Sequence, residues 1–96
     1  FGSAMPTRTM KIINKLGIHM KPAGLFVQEA GKYKSDILVY KDDLDNEKVN
    51  GKSLIGILML AAGKDSTITI EADGEDAEQA LDGLESLVIQ RKFDEE

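Results

Sequence analysis

The sequence lacks cysteine and holds a single histidine, and both shortages narrow the kinds of site that it can build. Without cysteine there is neither a disulfide scaffold nor a thiolate metal site. One histidine excludes a zinc site made of several histidines. The longest apolar run, Leu54 to Ala62, is nine residues and contains Gly56, whereas a helix needs about 20 apolar residues to cross a bilayer. We therefore expect no metal, no cofactor and no membrane insertion.

Basic residues are in the minority, with 12 lysines and arginines against 17 acidic residues and a net charge of −5. A nucleic-acid-binding protein is expected to carry a basic face. The charge therefore argues against nucleic acid and suits docking to basic protein surfaces. The absence of a signal peptide favours a cytoplasmic location. Residues 1–4 resemble the remnant of a cleaved expression tag, which leaves one domain over residues 5–96 that we expect to be monomeric.

Strand-like patterns recur along the chain. Short β-branched or alternating runs predict strands at Thr9–Asn14, Asp36–Lys41, Glu47–Asn50 and Thr67–Ala72. In the last of these runs apolar residues occupy every second position, which predicts a strand that is buried on one face only.

Three segments show helical spacing of apolar residues. The predicted helices run from Pro22 to Ala30, from Ser53 to Ala62 and from Ala77 to Val88. The first follows a loop over residues 15–20, and its proline falls in the first turn, where the missing N–H costs nothing. The order β-α-β-β-α-β-α predicts an α+β open sandwich, in which helices cover one face of an antiparallel sheet.

His19 stands where the first helix is predicted to begin. The first backbone N–H groups of a helix lack intrahelical partners, and the helix dipole adds positive charge there, so this terminus is a natural phosphate site. Lys21 places another positive charge within reach. A neutral imidazole nitrogen is available near pH 7 because the ordinary pKa of histidine is about 6.5. These residues predict a phosphoryl carrier with His19 as the acceptor. The simpler alternative is a surface histidine or an imperfect helix cap.

Ser53 opens the second predicted helix and is a favoured N-cap residue. A phosphoserine carries about −1.5 to −2 charges, so phosphorylation here would be tolerated structurally and would make the surrounding surface negative. The helix that follows is apolar on two sides, although a short helix on a sheet buries only one. We expect Leu54, Ile55 and Leu58 to face partners, with Met59 at the margin. The alternative is a helix that is buried on both sides.

Three segments together resemble HPr, the histidine-containing phosphocarrier family of the bacterial phosphoenolpyruvate–sugar phosphotransferase system. They are GIHMKPAG (Gly17–Gly24), NGKSLIGILMLAAG (Asn50–Gly63) and EADGEDA (Glu71–Ala77). Their order and spacing match, and the resemblance spans about Thr9 to Val88. It implies a βαββαβα sandwich with a four-stranded antiparallel sheet covered on one face by three helices.

The resemblance also implies partners and residue roles. It implies that His19 accepts phosphate on Nδ1 from phosphorylated enzyme I and passes it to an enzyme IIA domain, with Lys21 stabilising the phosphate. Met20 and Gly24 would belong to the docking surface. Ser53 would be phosphorylated by an ATP-dependent HPr kinase in bacteria that possess one, and this mark would hinder transfer through the histidine. The chain would then be a carrier protein and not a stand-alone enzyme.

Two residues depart from the family's usual pattern. Lys21 stands where the family usually has arginine, so the charge is retained but the planar fork that grips phosphate is lost. This change affects the rate of transfer and the choice of partner more than the capacity to accept phosphate. Met20 replaces a small residue that is common in the family, which reshapes the docking surface.

Two other functions stay open from the sequence. In the first, the chain is a regulatory module in which Ser53 phosphorylation creates a surface for a transcription regulator or an enzyme, with little role in sugar transport. In the second, the chain is a small phosphatase of similar layout. The sequence offers no obvious Arg–Asn pair, metal cluster or paired acid and base for that chemistry.

Overall fold

The computed structural model describes residues 6–13, 18, 20–41, 48–60, 63 and 65–90. Its strands are β1 (Thr7–Lys11), β2 (Asp36–Lys41), β3 (Val49–Asn50) and β4 (Thr67–Asp73), and its helices are α1 (Met20–Ala30), α2 (Leu54–Leu60) and α3 (Ala77–Glu85). A π-helical segment, Ser86–Gln90, continues α3. Across these described ranges, no helix is long and apolar enough to span a membrane.

The strands form one sheet in the order β1-β4-β2-β3, and every pairing is antiparallel. The strand that comes last in the sequence therefore lies inside the sheet, between β1 and β2. This arrangement confirms the predicted α+β open sandwich. It also leaves β1 and the two-residue β3 as the edge strands.

The core lies between one face of the sheet and the helices. On the sheet side, β2 and β4 contribute alternate apolar residues that are 0–1% exposed: Ile37, Val39, Ile68, Ile70 and Ala72. The helices complete the core with Phe26, Ile57, Leu81, Leu84 and Val88, all fully buried. The predicted helical spacing is confirmed because these residues recur every three or four positions.

The bounds of every element except β2 differ from the predictions. Strand β4 ends one residue later, at Asp73, helix α2 begins one residue later, at Leu54, and α3 ends at Glu85, where the π-helical segment continues it. Strand β1 begins two residues earlier, at Thr7, and ends at Lys11, while Asn14 lies outside the described residues. Met20, which was placed in the predicted loop over 15–20, is already helical, so α1 begins two residues before the predicted Pro22. Strand β3 covers only Val49 and Asn50, and Glu47 also lies outside the described residues.

The prediction that β4 is buried on one face only is wrong. Thr69 and Glu71, which alternate with the core residues, are 5% and 8% exposed. The physical reason is the position of β4 inside the sheet, where side chains from β1 and from the segment before β3 cover its second face. Thr9 Oγ1 lies 2.9 Å from Thr69 Oγ1, and Lys48 Nζ donates to Glu71 Oε2 at 3.0 Å.

Asp76 fastens the turn before α3 to the loop that follows α1. Its carboxylate accepts hydrogen bonds from the backbone N–H groups of Lys34 (2.8 Å) and Ser35 (2.9 Å) and from the Ser35 hydroxyl (2.5 Å). These bonds lower the pKa of Asp76, and the bond from the Ser35 hydroxyl has the largest effect. A glycine is required beside them because a Cβ on Gly74 would lie 2.7 Å from Ser35 Cα.

Candidate functional site

The start of α1 combines a buried anchor with an exposed terminus. Pro22, Ala23 and Phe26 are buried and hold the first two turns of the helix against the core, whereas Met20 and Lys21 are exposed. Proline fits here because the first turn needs no N–H from it. The first N–H groups of α1 lack intrahelical acceptors, and its first turn holds no acidic residue. This terminus is therefore positively polarised and suits an anion.

His19, the predicted phosphoryl acceptor, lies outside the described residues. Its two sequence neighbours are described. Ile18 is 5% exposed and belongs to the core, while Met20 begins α1 with 62% of its surface exposed. The chain thus passes from a buried residue to an exposed helix start across position 19. The assignment of His19 as acceptor and of Lys21 as its stabilising charge stays a prediction.

Gly24 lies in the interior of α1 and is exposed. Apart from its chain neighbours and the nearby backbone of α1, no atom of the described residues lies within 4 Å of the place that a Cβ would occupy. Since residues four apart share one side of a helix, Gly24 lies on the same side as Met20. A glycine here weakens the helix relative to alanine without any packing reason within the described chain. The position is compatible with the close approach of another molecule.

Ser53 caps α2, as its place in the sequence predicts. Its Oγ accepts a hydrogen bond from the N–H of Gly56 at 3.1 Å, and its carbonyl accepts one from the N–H of Ile57 at 3.0 Å. The residue is partly exposed. The capping role is confirmed, whereas phosphorylation of Ser53 stays a prediction.

Lys52 holds the segment that leads to Ser53 against the end of α1. Its Nζ donates to the backbone carbonyl of Tyr33 at 2.8 Å, and its N–H donates to Asn50 Oδ1 at 2.9 Å. The start of α2 is thereby fixed relative to α1. Sequence reasoning gave Lys52 no such role, because nothing local indicates a bond between residues 52 and 33.

Helix α2 divides its apolar residues between the core and the surface. Ile57 and Leu60 are 0% and 7% exposed, whereas Leu54, Ile55 and Met59 are 38%, 70% and 76% exposed. The expectation of a helix with one apolar side left over is confirmed, and the alternative of burial on both sides is wrong.

The order within the exposed set is also corrected. Leu58, expected to face partners, is only partly exposed and packs against the core, while Met59, expected at the margin, is the most exposed apolar residue of α2. The contact of Leu58 with partners stays a prediction. The reason is helical geometry: each residue is rotated by about 100° from the last, so Leu58 stays near the buried Ile57 and Met59 turns outward.

We use the name docking surface for Met20 and Gly24 on α1 with Leu54, Ile55 and Met59 on α2, and the binding of partners by these residues stays a prediction. Its four apolar side chains are the large hydrophobic residues that the described part of the chain leaves exposed. The two helices pack against each other, and exposed apolar residues on such elements are typical of interaction sites. In the described residues no group of three or more acidic or histidine side chains could hold a metal ion.

Comparison with known proteins identifies the family to which the chain belongs. A sequence model of the PTS HPr component phosphorylation site matches residues 6–90. The chain belongs to the HPr family. It is 42% identical over 84 residues to the phosphocarrier protein HPr of Neisseria meningitidis, covering 88% of this chain and 91% of that protein. This match confirms the resemblance seen in the three sequence segments.

The chain is also similar to a solved HPr structure and to an HPr-like protein of another type. A crystal structure of HPr from Thermoanaerobacter tengcongensis superposes with a TM-score of 0.86 at 42% identity, covering 96% of this chain and 99% of the other. The HPr-like protein Crh of Halalkalibacterium halodurans is 40% identical over 80 residues, covering 83% of this chain and 92% of that protein. The family thus includes both phosphocarriers and Crh-type relatives.

Proposed function

We propose that this HPr-family protein accepts a phosphoryl group on His19 from phosphorylated enzyme I and passes it to an enzyme IIA domain. The observation that carries the proposal is the start of α1 at Met20, directly after the only histidine of the sequence. In the first transfer a nitrogen–phosphorus bond forms on His19 as the bond to enzyme I breaks, and in the second this bond breaks as the phosphoryl group bonds to the enzyme IIA acceptor. The chain therefore acts as a carrier that returns to its starting state after both steps.

The terminus of α1 supports this chemistry electrostatically. A phosphoryl group on residue 19 would meet unpaired N–H donors of the helix, the positive end of its dipole and the exposed Lys21. Lysine supplies a mobile point charge without the bidentate grip of arginine. We therefore infer that Lys21 lowers the cost of holding the dianion and leaves the phosphoryl group free to move on.

The docking surface supplies the contact with both partners. Its apolar residues lie on the same two helices as the start of α1 and the cap of α2. A carrier must release one partner before it engages the next, so a small and shared apolar surface suits the sequence of two encounters. We propose that enzyme I and the enzyme IIA domain use this surface in turn.

The test is a labelling reaction with enzyme I and phosphoenolpyruvate. We expect one acid-labile phosphoryl group on His19, located by mass spectrometry at neutral pH, and no label on His19→Ala. The matched control is Lys21→Arg, which keeps the charge and should be labelled at an altered rate. Equal labelling of His19→Ala would contradict the assignment of the acceptor.

A second candidate function is regulatory, and the similarity to a Bacillus subtilis Crh structure that is described as a catabolite repression protein favours it. Here an ATP-dependent kinase phosphorylates Ser53, and the modified surface binds a transcription regulator or an enzyme. Ser53→Asn is the informative variant because asparagine keeps an N-cap acceptor but has no hydroxyl. Kinase labelling that survives in Ser53→Asn would exclude Ser53 as the modified residue. Kinase labelling without any labelling by enzyme I would favour the regulatory function.

A further inference from the structure

The face of the sheet turned away from the helices carries a buried carboxylate, that of Glu71, and one of its oxygens accepts no hydrogen bond from the described residues. Glu71 on β4 points to this face, and its side chain is only 10% exposed. Its Oε2 accepts from Lys48 Nζ at 3.0 Å, whereas its Oε1 is buried and has no hydrogen-bond partner among the residues that the structure describes. A buried carboxylate oxygen without a donor is costly, and a bound molecule that donates a hydrogen bond to it would remove that cost.

A surface cavity adjoins this carboxylate. It measures about 370 Å³ and is lined by Asp36, Ile37, Leu38, Asn50, Glu71 and Asp73. Asp36 and Asp73 are direct cross-strand partners, and like charges placed directly opposite each other on a sheet repel. Among the described residues the lining therefore contains three carboxylates, of which Glu71 is bound to Lys48 through one oxygen only. It attracts positive charge at two places: the buried Glu71 and the exposed aspartate pair.

The nature of this positive charge follows from the spread of the carboxylates. In the part of the chain that the structure describes, no three acidic side chains converge so that they could hold a metal ion. A cation that carries its charges at two separated ends matches the layout better. Its alkyl part would lie against Leu38, and the cavity volume falls within the range of small-molecule sites.

We propose that this cavity binds a short organic diamine. One ammonium group donates to Glu71, and the other lies between Asp36 and Asp73. The torsion of a terminal carboxylate is broad, so Glu71 can turn its free oxygen toward the cavity while Lys48 keeps the other. This site lies across the sheet from the docking surface and is independent of the proposed phosphoryl transfer.

The experiment is a titration of the ¹⁵N-labelled full chain with 1,4-diaminobutane, followed by amide chemical shifts. We expect saturable shifts confined to residues around the cavity on β2 and β4. Glu71→Gln and Asp73→Asn should each weaken binding about tenfold, the effect of losing one charge-assisted hydrogen bond. Asp73 is exposed, so its variant keeps the test valid if Glu71→Gln fails to fold.

Three controls decide the outcome. Asp65→Asn removes the same charge from an exposed turn away from the cavity, and it should bind the diamine as the parent does. Butylamine, which has one ammonium group, should bind more weakly. The absence of local shifts, equal weakening by Asp65→Asn, or equal shifts with Mg²⁺ or butylamine would each overturn the proposal.

Discussion

Two isoleucines of α2 offer a direct test of how this helix divides stability from docking. Ile55 is 70% exposed and Ile57 is fully buried, although they are two residues apart and chemically identical. We predict that Ile57→Ala destabilises the fold and that Ile55→Ala leaves it intact while slowing phosphoryl transfer. Each variant is the control for the other, since both remove the same atoms from the same helix.

The magnitudes follow from burial. Truncating a fully buried isoleucine to alanine costs about 2–5 kcal/mol, against a total stability of about 5–15 kcal/mol for a domain. Full burial of such a side chain contributes about 1.5–3 kcal/mol, and Ile55 has only 30% of its surface covered, so its contact is worth below about 1 kcal/mol. The higher helix propensity of alanine offsets part of that loss, by a few tenths of a kcal/mol (~0.4).

The assay for stability is urea unfolding followed by far-ultraviolet circular dichroism, since the sequence has no tryptophan to report by fluorescence. With a slope of about 2 kcal/mol per molar, Ile57→Ala should lower the midpoint by about 1–2.5 M, and Ile55→Ala should leave it nearly unchanged. The second assay is the rate of labelling by enzyme I, which Ile55→Ala should reduce. Equal destabilisation by both variants, or full transfer activity in Ile55→Ala, would refute the division that we infer.

Two further predictions concern Gly24 and Asp76. Gly24→Ala should stabilise α1 by about 0.5–1 kcal/mol, as measured by urea unfolding. It should also slow the labelling of His19 by enzyme I. A stabilised variant with an unchanged labelling rate would exclude the close approach of a partner at this position. The pKa of Asp76 is lowered from 3.8, and the largest cause is the hydrogen bond from the Ser35 hydroxyl. The ionised carboxylate therefore stabilises the fold above pH 3.8, and this stabilisation is lost as the pH falls through the lower pKa of the native state. Urea midpoints measured from pH 5 downward should therefore fall less in Asp76→Asn than in the parent, and parallel curves would argue against this source of acid sensitivity.

The sequence predicts the helices well because their apolar residues recur with a period that is read locally. Phe26 and Ala30 lie at the predicted spacing and are fully buried. The second face of β4 was not predictable in this way. Glu71 is buried because Lys48 reaches it from the segment before β3, across β2. The burial of this second face depends on which strands become neighbours in the fold. The alternation of apolar and polar residues within one strand does not indicate it.

The candidate site shows the same limit. The helix start beside His19 and the cap at Ser53 are local features, and the sequence indicates both. The exposure of Leu58 and Met59 was misjudged because α2 has no polar side by which to set its rotation. Its seven residues are all apolar or glycine, so only contact with the rest of the fold decides which of them are buried.

The geometry of the cap at Ser53 bears on how a phosphoryl group there would act. The hydroxyl oxygen serves as an acceptor for the N–H of Gly56, and esterification removes the hydroxyl proton while leaving acceptor oxygens in place. The start of α2 would then keep its cap, so melting of the helix is not the expected consequence. The added charge would instead lie beside Leu54 and Ile55, where an apolar partner surface would have to desolvate it. Under the proposed function, modification of Ser53 would thus weaken docking through electrostatics and leave the fold unchanged.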